Sequence, residues 1–178
     1  MSEQSISLRT AVPADIATLR CWHAQPHIAA ATGRAPGEPG AWDWENEISQ
    51  VVPWREMLIA ECLGRPIGFV QIIDPAEDES QYWGDCAPDL RAIDIWIGEP
   101  AFLGGGFGTQ IMSAALERCF AVPPVRAVLI DPLAANIRAI EFYTKMGFRV
   151  LGRRMFGEDD CLVMRIDRAS YAVQRRKS

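Results

Sequence analysis

Apolar and polar positions along the chain change period several times, and each change marks an element. Residues 5–11 alternate as a strand does, and Pro13, Ala14 and Asp15 then open a helix whose Ile16, Leu19 and His23 keep helical spacing. Glycine and proline crowd residues 33–40, which predicts a loop, followed by a short helix carrying Trp42, Trp44 and Ile48. Two apolar runs, 57–63 and 67–73, flank Gly64-Arg65-Pro66 and predict an antiparallel hairpin. Residues 74–88 are acidic and turn-rich, and 91–97 (RAIDIWI) alternate as another strand. From Phe107 to Phe120 the positions Ile111, Met112, Ala115, Leu116, Cys119 and Phe120 recur on one helical face, and Pro123-Pro124 ends the element. A strand over 125–130 follows, then a helix over 136–146 with Ile137, Ile140, Tyr143 and Met146 on one stripe and Gly147 at its C-terminal cap. Strands over 148–155 and 161–167 complete the pattern, and the basic stretch 170–178 reads as a frayed tail.

Composition narrows the class. The 178 residues, 49% hydrophobic and 23% charged, suit one globular domain spanning 1–178. No apolar run reaches 18 residues and MSEQSISLRT lacks an export-signal pattern, so a cytoplasmic protein without membrane contact is expected. Cysteines 21, 62, 86, 119 and 161 form no C-x-x-C pair, which favours idle thiols over disulfides or zinc. His23 and His27 have no third ligand spaced with them, so no metal is expected and both read as structural. A net charge of −5 with no basic stripe disfavours nucleic acid. Oligomeric state, monomer or homodimer, stays open.

Candidate chemistry enters at Leu103-Gly104-Gly105-Gly106-Phe107-Gly108-Thr109, where a glycine-rich turn delivers the chain into a helix N-terminus. Glycine lets backbone approach a ligand, and unpaired N–H groups with the helix dipole favour phosphate oxygens. A P-loop is excluded because no Gly-Lys-Ser/Thr closes the turn, and a dinucleotide fingerprint because Thr109 or Ile111 occupies its last glycine position. One strand and one helix later comes Asp131-Pro132-x-x-x-Asn136-x-Arg138-Ala139-Ile140-x-x-Tyr143-x-x-x-Gly147-Phe148. The two segments, in this order, resemble the acetyl-CoA-binding core of the GNAT acetyltransferases. RAIDIWIGEPAFLGGGFGT, DPLAANIRAIEFYTKMGF and CWHAQPHI are similar to stretches of the aminoglycoside 6'-N-acetyltransferases within that family.

The resemblance implies an α/β (α+β) fold: a central, mixed, mostly antiparallel twisted sheet flanked by helices and splayed at the acetyl-CoA site. It implies acetyl-CoA as co-substrate, held by Trp96, Ile97, Leu103, Gly104, Gly105, Gly106, Phe107, Gly108, Thr109, Asn136, Ala139 and Tyr143. Leu103 departs from the Gln or Arg frequent there in the wider family. Asp94 and Tyr143 are the implied catalytic pair, Asp94 binding the ammonium or taking its proton directly or through water, Tyr143 protonating the departing thiolate. A backbone N–H near Trp96 or Ile97 is the oxyanion donor. Trp22, Asp94, Asp131 and, more loosely, Glu79 are the implied acceptor site, and Trp22, Tyr82 and Trp83 offer aromatic faces for a cationic or sugar-like ring.

Charge distribution bears on the acceptor. Residues 66–117 hold nine acids against the single base Arg91, a net of −8, while the remainder is +3. Carboxylates steer a polycation such as an aminoglycoside, though a solvated acidic loop and a core role for Tyr143 remain open readings. Acetylation of a siderophore precursor, a polyamine or a protein amine are the alternatives within the chemistry. A non-catalytic acetyl-CoA-binding module is the alternative outside it.

Overall fold

The computed structural model describes residues 5–34, 38 and 42–176. Its strands are β1 (Ile6–Thr10), β2 (Arg55–Cys62), β3 (Arg65–Ile73), β4 (Leu90–Ile97), β5 (Ala127–Ile130), β6 (Arg149–Phe156) and β7 (Asp159–Asp167). Helices are α1 (Ile16–His23), α2 (Pro26–Thr32), α3 (Trp44–Ser49), α4 (Phe107–Ala121), α5 (Ile137–Lys145) and α6 (Arg168–Arg175). The strands form one open sheet in the order β1-β2-β3-β4-β5-β7-β6. It is mixed: β1 with β2, β5 with β7 and β6 with β7 run antiparallel, β4 with β5 parallel. The parallel ladder is short, Leu90–Ala92 against Ala127–Leu129.

Backbone contacts divide the chain into two compact units, Met1–Ile72 with Asp94–Ala115, and Ile73–Ile93 with Leu116–Ser178. In the first unit, a core of Leu19, Trp22, Ile28, Trp44, Ile48, Met57, Ile59, Phe69 and Trp96 joins α1–α3 to the sheet. Trp42 stacks on Trp44 (4.9 Å between ring centres) and Phe69 tilts against Trp96 (4.9 Å), spacings at which aromatic pairs add to area burial. In the second unit, Val128, Ile130, Met164 and Ile166 are buried along β5 and β7.

Several local expectations change. The hairpin turn is Leu63-Gly64, not Gly64-Arg65-Pro66: both residues have positive φ (52° and 77°), the twist a two-residue connection needs, and Arg65 and Pro66 already belong to β3. Most of the loop expected at 33–40 lies outside the described residues, and Trp42 precedes the helix that carries Trp44 and Ile48. Helix α2 was not anticipated. Nor was α6, which replaces the frayed tail as far as Arg175. It is anchored by Arg168, whose guanidinium donates to the carbonyls of Phe120, Val122 and Val125 (2.8, 2.6 and 2.7 Å), and by Tyr171 stacked on Phe120 at 4.8 Å. A cation on the Phe120 carbonyl in the last turn of α4, and on the two carbonyls just beyond it, satisfies acceptors that the helix end leaves open.

Candidate active site

One candidate segment grows out of β4. Asp94 keeps solvent-exposed surface on this strand, yet desolvation raises its carboxyl from the ordinary 3.8 to about 6, so it is reachable by water while protein mass displaces much of its hydration. The strand end is held closely. Gly98 N–H and Glu99 N–H both donate to the Ile67 carbonyl (2.9 and 3.2 Å), and the Ile97 carbonyl lies 2.8 Å from His27 Nε2. Glu99 accepts from Trp22 Nε1 (3.0 Å) and from Arg65 (3.2 Å). The Trp22 indole covers Gly98 so tightly that a Cβ there would fall 2.0 Å from ring carbon Cδ2.

A 3-10 turn, Pro100–Phe102, then leads into the glycine loop. Gly104 and Gly106 have φ of 76° and 82°, a conformation that opposes side chains, and the space around each is open. Gly105 faces the Phe107 ring, which in turn packs edge-on against Phe102 at 4.8 Å. The first bond into α4 runs from Gln110 N–H to Gly106 O (3.3 Å), so the amides of Phe107, Gly108 and Thr109 precede the helical ladder and have no i−4 carbonyl. An exposed, side-chain-free turn ending in such amides fits a pyrophosphate.

A separate candidate segment follows β5. Tyr82 donates from its hydroxyl to Asp131 Oδ2 at 2.7 Å, and its ring, 44% exposed, stacks on Phe156 at 4.6 Å. Arg154 lies over the same Phe156 ring (4.6 Å) and donates to the Trp83 carbonyl at 2.8 Å. Asn136 caps α5 by accepting from Ala139 N–H (3.1 Å). No residue of α5 is fully buried, so Tyr143 is not a core residue; it is half-buried, its ring 5.2 Å from Phe142 and 5.8 Å from Phe148.

The structure thus brings Tyr82 to Asp131, and it sets Trp22 and Trp83 apart from the expected acceptor role. Trp22 is 1% exposed and Trp83, edge-on to Phe156, is 4% exposed, so neither indole offers an open face to a ligand. Glu79 is exposed, next to Asp78, which is buried and caps its own turn through Ser80 N–H (2.9 Å) and Ser80 Oγ (2.8 Å). The acidic stretch is partly neutralised: Asp74 pairs with Arg91, Asp89 with Arg126, Glu99 with Arg65 and Glu117 with Arg175. Glu77, Asp78, Glu79, Asp85 and Asp94 make no ion pair with a described residue and carry the uncompensated charge. Sequence reasoning missed Gly98, Glu99 and the His27 contact; P-H-I in CWHAQPHI was the available signal, though nothing in its spacing specifies the Ile97 carbonyl. Among the described residues no cluster of His, Cys, Asp or Glu suits a metal. No cysteine forms a disulfide, and no described helix is long and apolar enough to cross a membrane.

A glycine turn feeding a helix N-terminus, an open carboxylate of raised pKa on the preceding strand, and a mixed sheet define an acyl-CoA-type transferase class. Residues 11–156 match the acetyltransferase (GNAT) domain, and the chain belongs to that family. It is 29% identical to the aminoglycoside N(6')-acetyltransferase type 1 of Serratia marcescens, covering 98% of this chain and 89% of that one. To the enzyme of the same name from Klebsiella pneumoniae it is 31% identical, over 85% of this chain and 77% of the relative. The solved structure of the aminoglycoside acetyltransferase AAC(6')-Ib with coenzyme A superimposes with a TM-score of 0.83 at 28% identity, covering 96% and 99% of the two chains. The same enzyme with ribostamycin and coenzyme A gives 0.84 at 27%, covering 98% and 99%.

Proposed function

We propose that this protein transfers acetyl from acetyl-CoA to the 6'-amine of an aminoglycoside in the cytoplasm. The observation that carries the reading is Asp94: an exposed carboxyl, raised to about 6 by desolvation and without an ion pair to a described residue, on the strand that runs into the exposed glycine loop. The names of the Serratia and Klebsiella relatives and the ribostamycin complex of AAC(6')-Ib support the acceptor class.

Acetyl-CoA, when bound, supplies the activated acyl group. In this reading the glycine-loop amides and the N-terminus of α4 hold its phosphates, with Asn136 and Ala139 flanking the pantetheine. Asp94 takes the ammonium proton, directly or through one water, and frees the nitrogen lone pair; a carboxylate whose pKa lies near working pH is suited to that transfer. The Trp96 or Ile97 N–H donates to the oxyanion, and the Tyr143 hydroxyl gives its proton to the leaving sulfur. Asp131, Tyr82 and Glu79 bind the remaining ammonium groups, with Glu77 and Asp85 adding to the field that attracts them. The chain acts as a monomer or homodimer, without nucleic acid, membrane or metal.

The test is thiol release from acetyl-CoA with kanamycin, tobramycin, spermidine, N-hydroxylysine and a basic peptide. Selective turnover of the two aminoglycosides is expected. Turnover of another amine alone overturns the acceptor assignment, and tight acetyl-CoA binding without any turnover favours a binding module instead.

A further inference from the structure

We propose that Trp22 and His27 are positioning residues that lock the end of β4 so that its backbone and the glycine loop present a preformed surface to acetyl-CoA. The inference rests on the acetyl-CoA reading above.

The peptide unit joining Ile97 to Gly98 is fixed at both ends. Its carbonyl is 2.8 Å from His27 Nε2, and because a carbonyl only accepts, Nε2 carries the proton. Its N–H donates to Ile67 O at 2.9 Å. The next residue, Glu99, is held through its carboxylate by Trp22 Nε1 and Arg65, and through its N–H by the same Ile67 carbonyl. Gly98 lies under the Trp22 ring, where any side chain would collide. A peptide plane restrained in this way has little freedom to rotate. Glu99 is then followed within five residues by Gly104, the first loop residue of positive φ.

The two side chains come from one corner. Trp22 is in the last turn of α1 and His27 in the first turn of α2, with Pro26 opening α2 after Gln25. Pro26 fixes its own φ and starts α2 three residues after α1 ends, and from these two helices His27 reaches Ile97 while Trp22 reaches Gly98 and Glu99. Core burial alone accounts for the Trp22 ring. It does not account for the paired use of an indole N–H and an imidazole N–H on Glu99 and Ile97. A preorganised backbone site binds without spending binding free energy on ordering itself, so loosening it weakens acetyl-CoA binding ahead of every other step.

The experiment compares wild type with Trp22→Phe, His27→Leu and His27→Gln. Trp22→Phe keeps an aromatic ring and loses only the N–H; His27→Gln keeps a donor near the Nε2 position that His27→Leu lacks. Calorimetry gives the Kd for acetyl-CoA, and steady-state kinetics give kcat and both KM values. Trp22→Phe and His27→Leu are expected to raise the acetyl-CoA Kd and KM about fivefold, the loss of one hydrogen bond, with kcat and the amine KM within twofold of wild type. His27→Gln is expected to recover most of that loss. Acetyl-CoA binding unchanged in both variants overturns the proposal, as does a parallel loss of Tm, kcat and both substrates' binding that His27→Gln does not repair. Failure of wild type itself to bind acetyl-CoA overturns the acetyl-CoA reading, and the positioning role falls with it.

Discussion

The segment from Asp94 to Thr109 and the segment from Asp131 to Tyr143 hold their functional groups in different ways. In the first, backbone does most of the work: the Ile97–Gly98 peptide is bonded at both ends, Gly104 and Gly106 adopt positive φ, and the loop amides lead into α4. In the second, side chains do it: Tyr82 on Asp131, Phe156 under Tyr82, and a half-buried Tyr143 on a helix with no fully buried residue. A surface made of backbone is specific for what phosphates and peptides share, whereas one made of side chains on loops is free to vary with the acceptor. The difference teaches which changes abolish chemistry and which only retune it.

The largest effect is expected where one side chain carries chemistry within the backbone-built segment. Asp94→Asn removes the proton acceptor and should lower kcat/KM for the amine by about 100-fold or more, with acetyl-CoA Kd unchanged by calorimetry. Gly98→Ala comes next. A Cβ 2.0 Å from Trp22 Cδ2 forces ring or strand to move, so a destabilisation of about 2 kcal/mol in urea unfolding and weakened acetyl-CoA binding are expected. In the side-chain-built segment, Tyr143→Phe should lower kcat about tenfold, near or below the low end for acid catalysis because a thiolate is already a competent leaving group. The smallest effect is Tyr82→Phe, which keeps the stack on Phe156 but removes the donor to Asp131; the amine KM should shift about threefold with kcat constant. A Tyr82→Phe loss as large as that of Asp94→Asn would break the comparison.

Much of this division is legible in sequence, because backbone sites announce themselves through glycine. Gly104 and Gly106 before an amphipathic helix predict a turn of positive φ into a helix N-terminus without any tertiary information, and the strands at 91–97 and 125–130 follow from periodicity. Trp22 and Trp83 were not legible as buried groups, since burial of an aromatic depends on partners such as Gly98 and Phe156 that lie far along the chain. Helix α2 escaped notice because only Ile28 among its seven residues is buried, leaving no apolar stripe. Helix α6 escaped it because Arg168 docks through its guanidinium on distant carbonyls, a tertiary contact with no periodic signature.

Asp94 also links the site to stability. Its folded pKa, about 6, stands above the ordinary 3.8, so the folded protein holds this proton more tightly than the unfolded chain. Between about pH 4 and pH 6 its ionisation therefore removes stability as pH rises, and nothing further is lost above that window. Asp94→Asn should leave Tm close to wild type at pH 4 and above it at pH 7.

The most direct test of Asp94 as the proton acceptor in amine acetylation is the pH profile of kcat/KM for kanamycin in wild type and Asp94→Asn. The account predicts a rising limb near pH 6 in wild type, below the limb set by the amine itself, and its disappearance in Asp94→Asn together with most of the activity. An Asp94→Asn enzyme with wild-type rate and the same limb would contradict it.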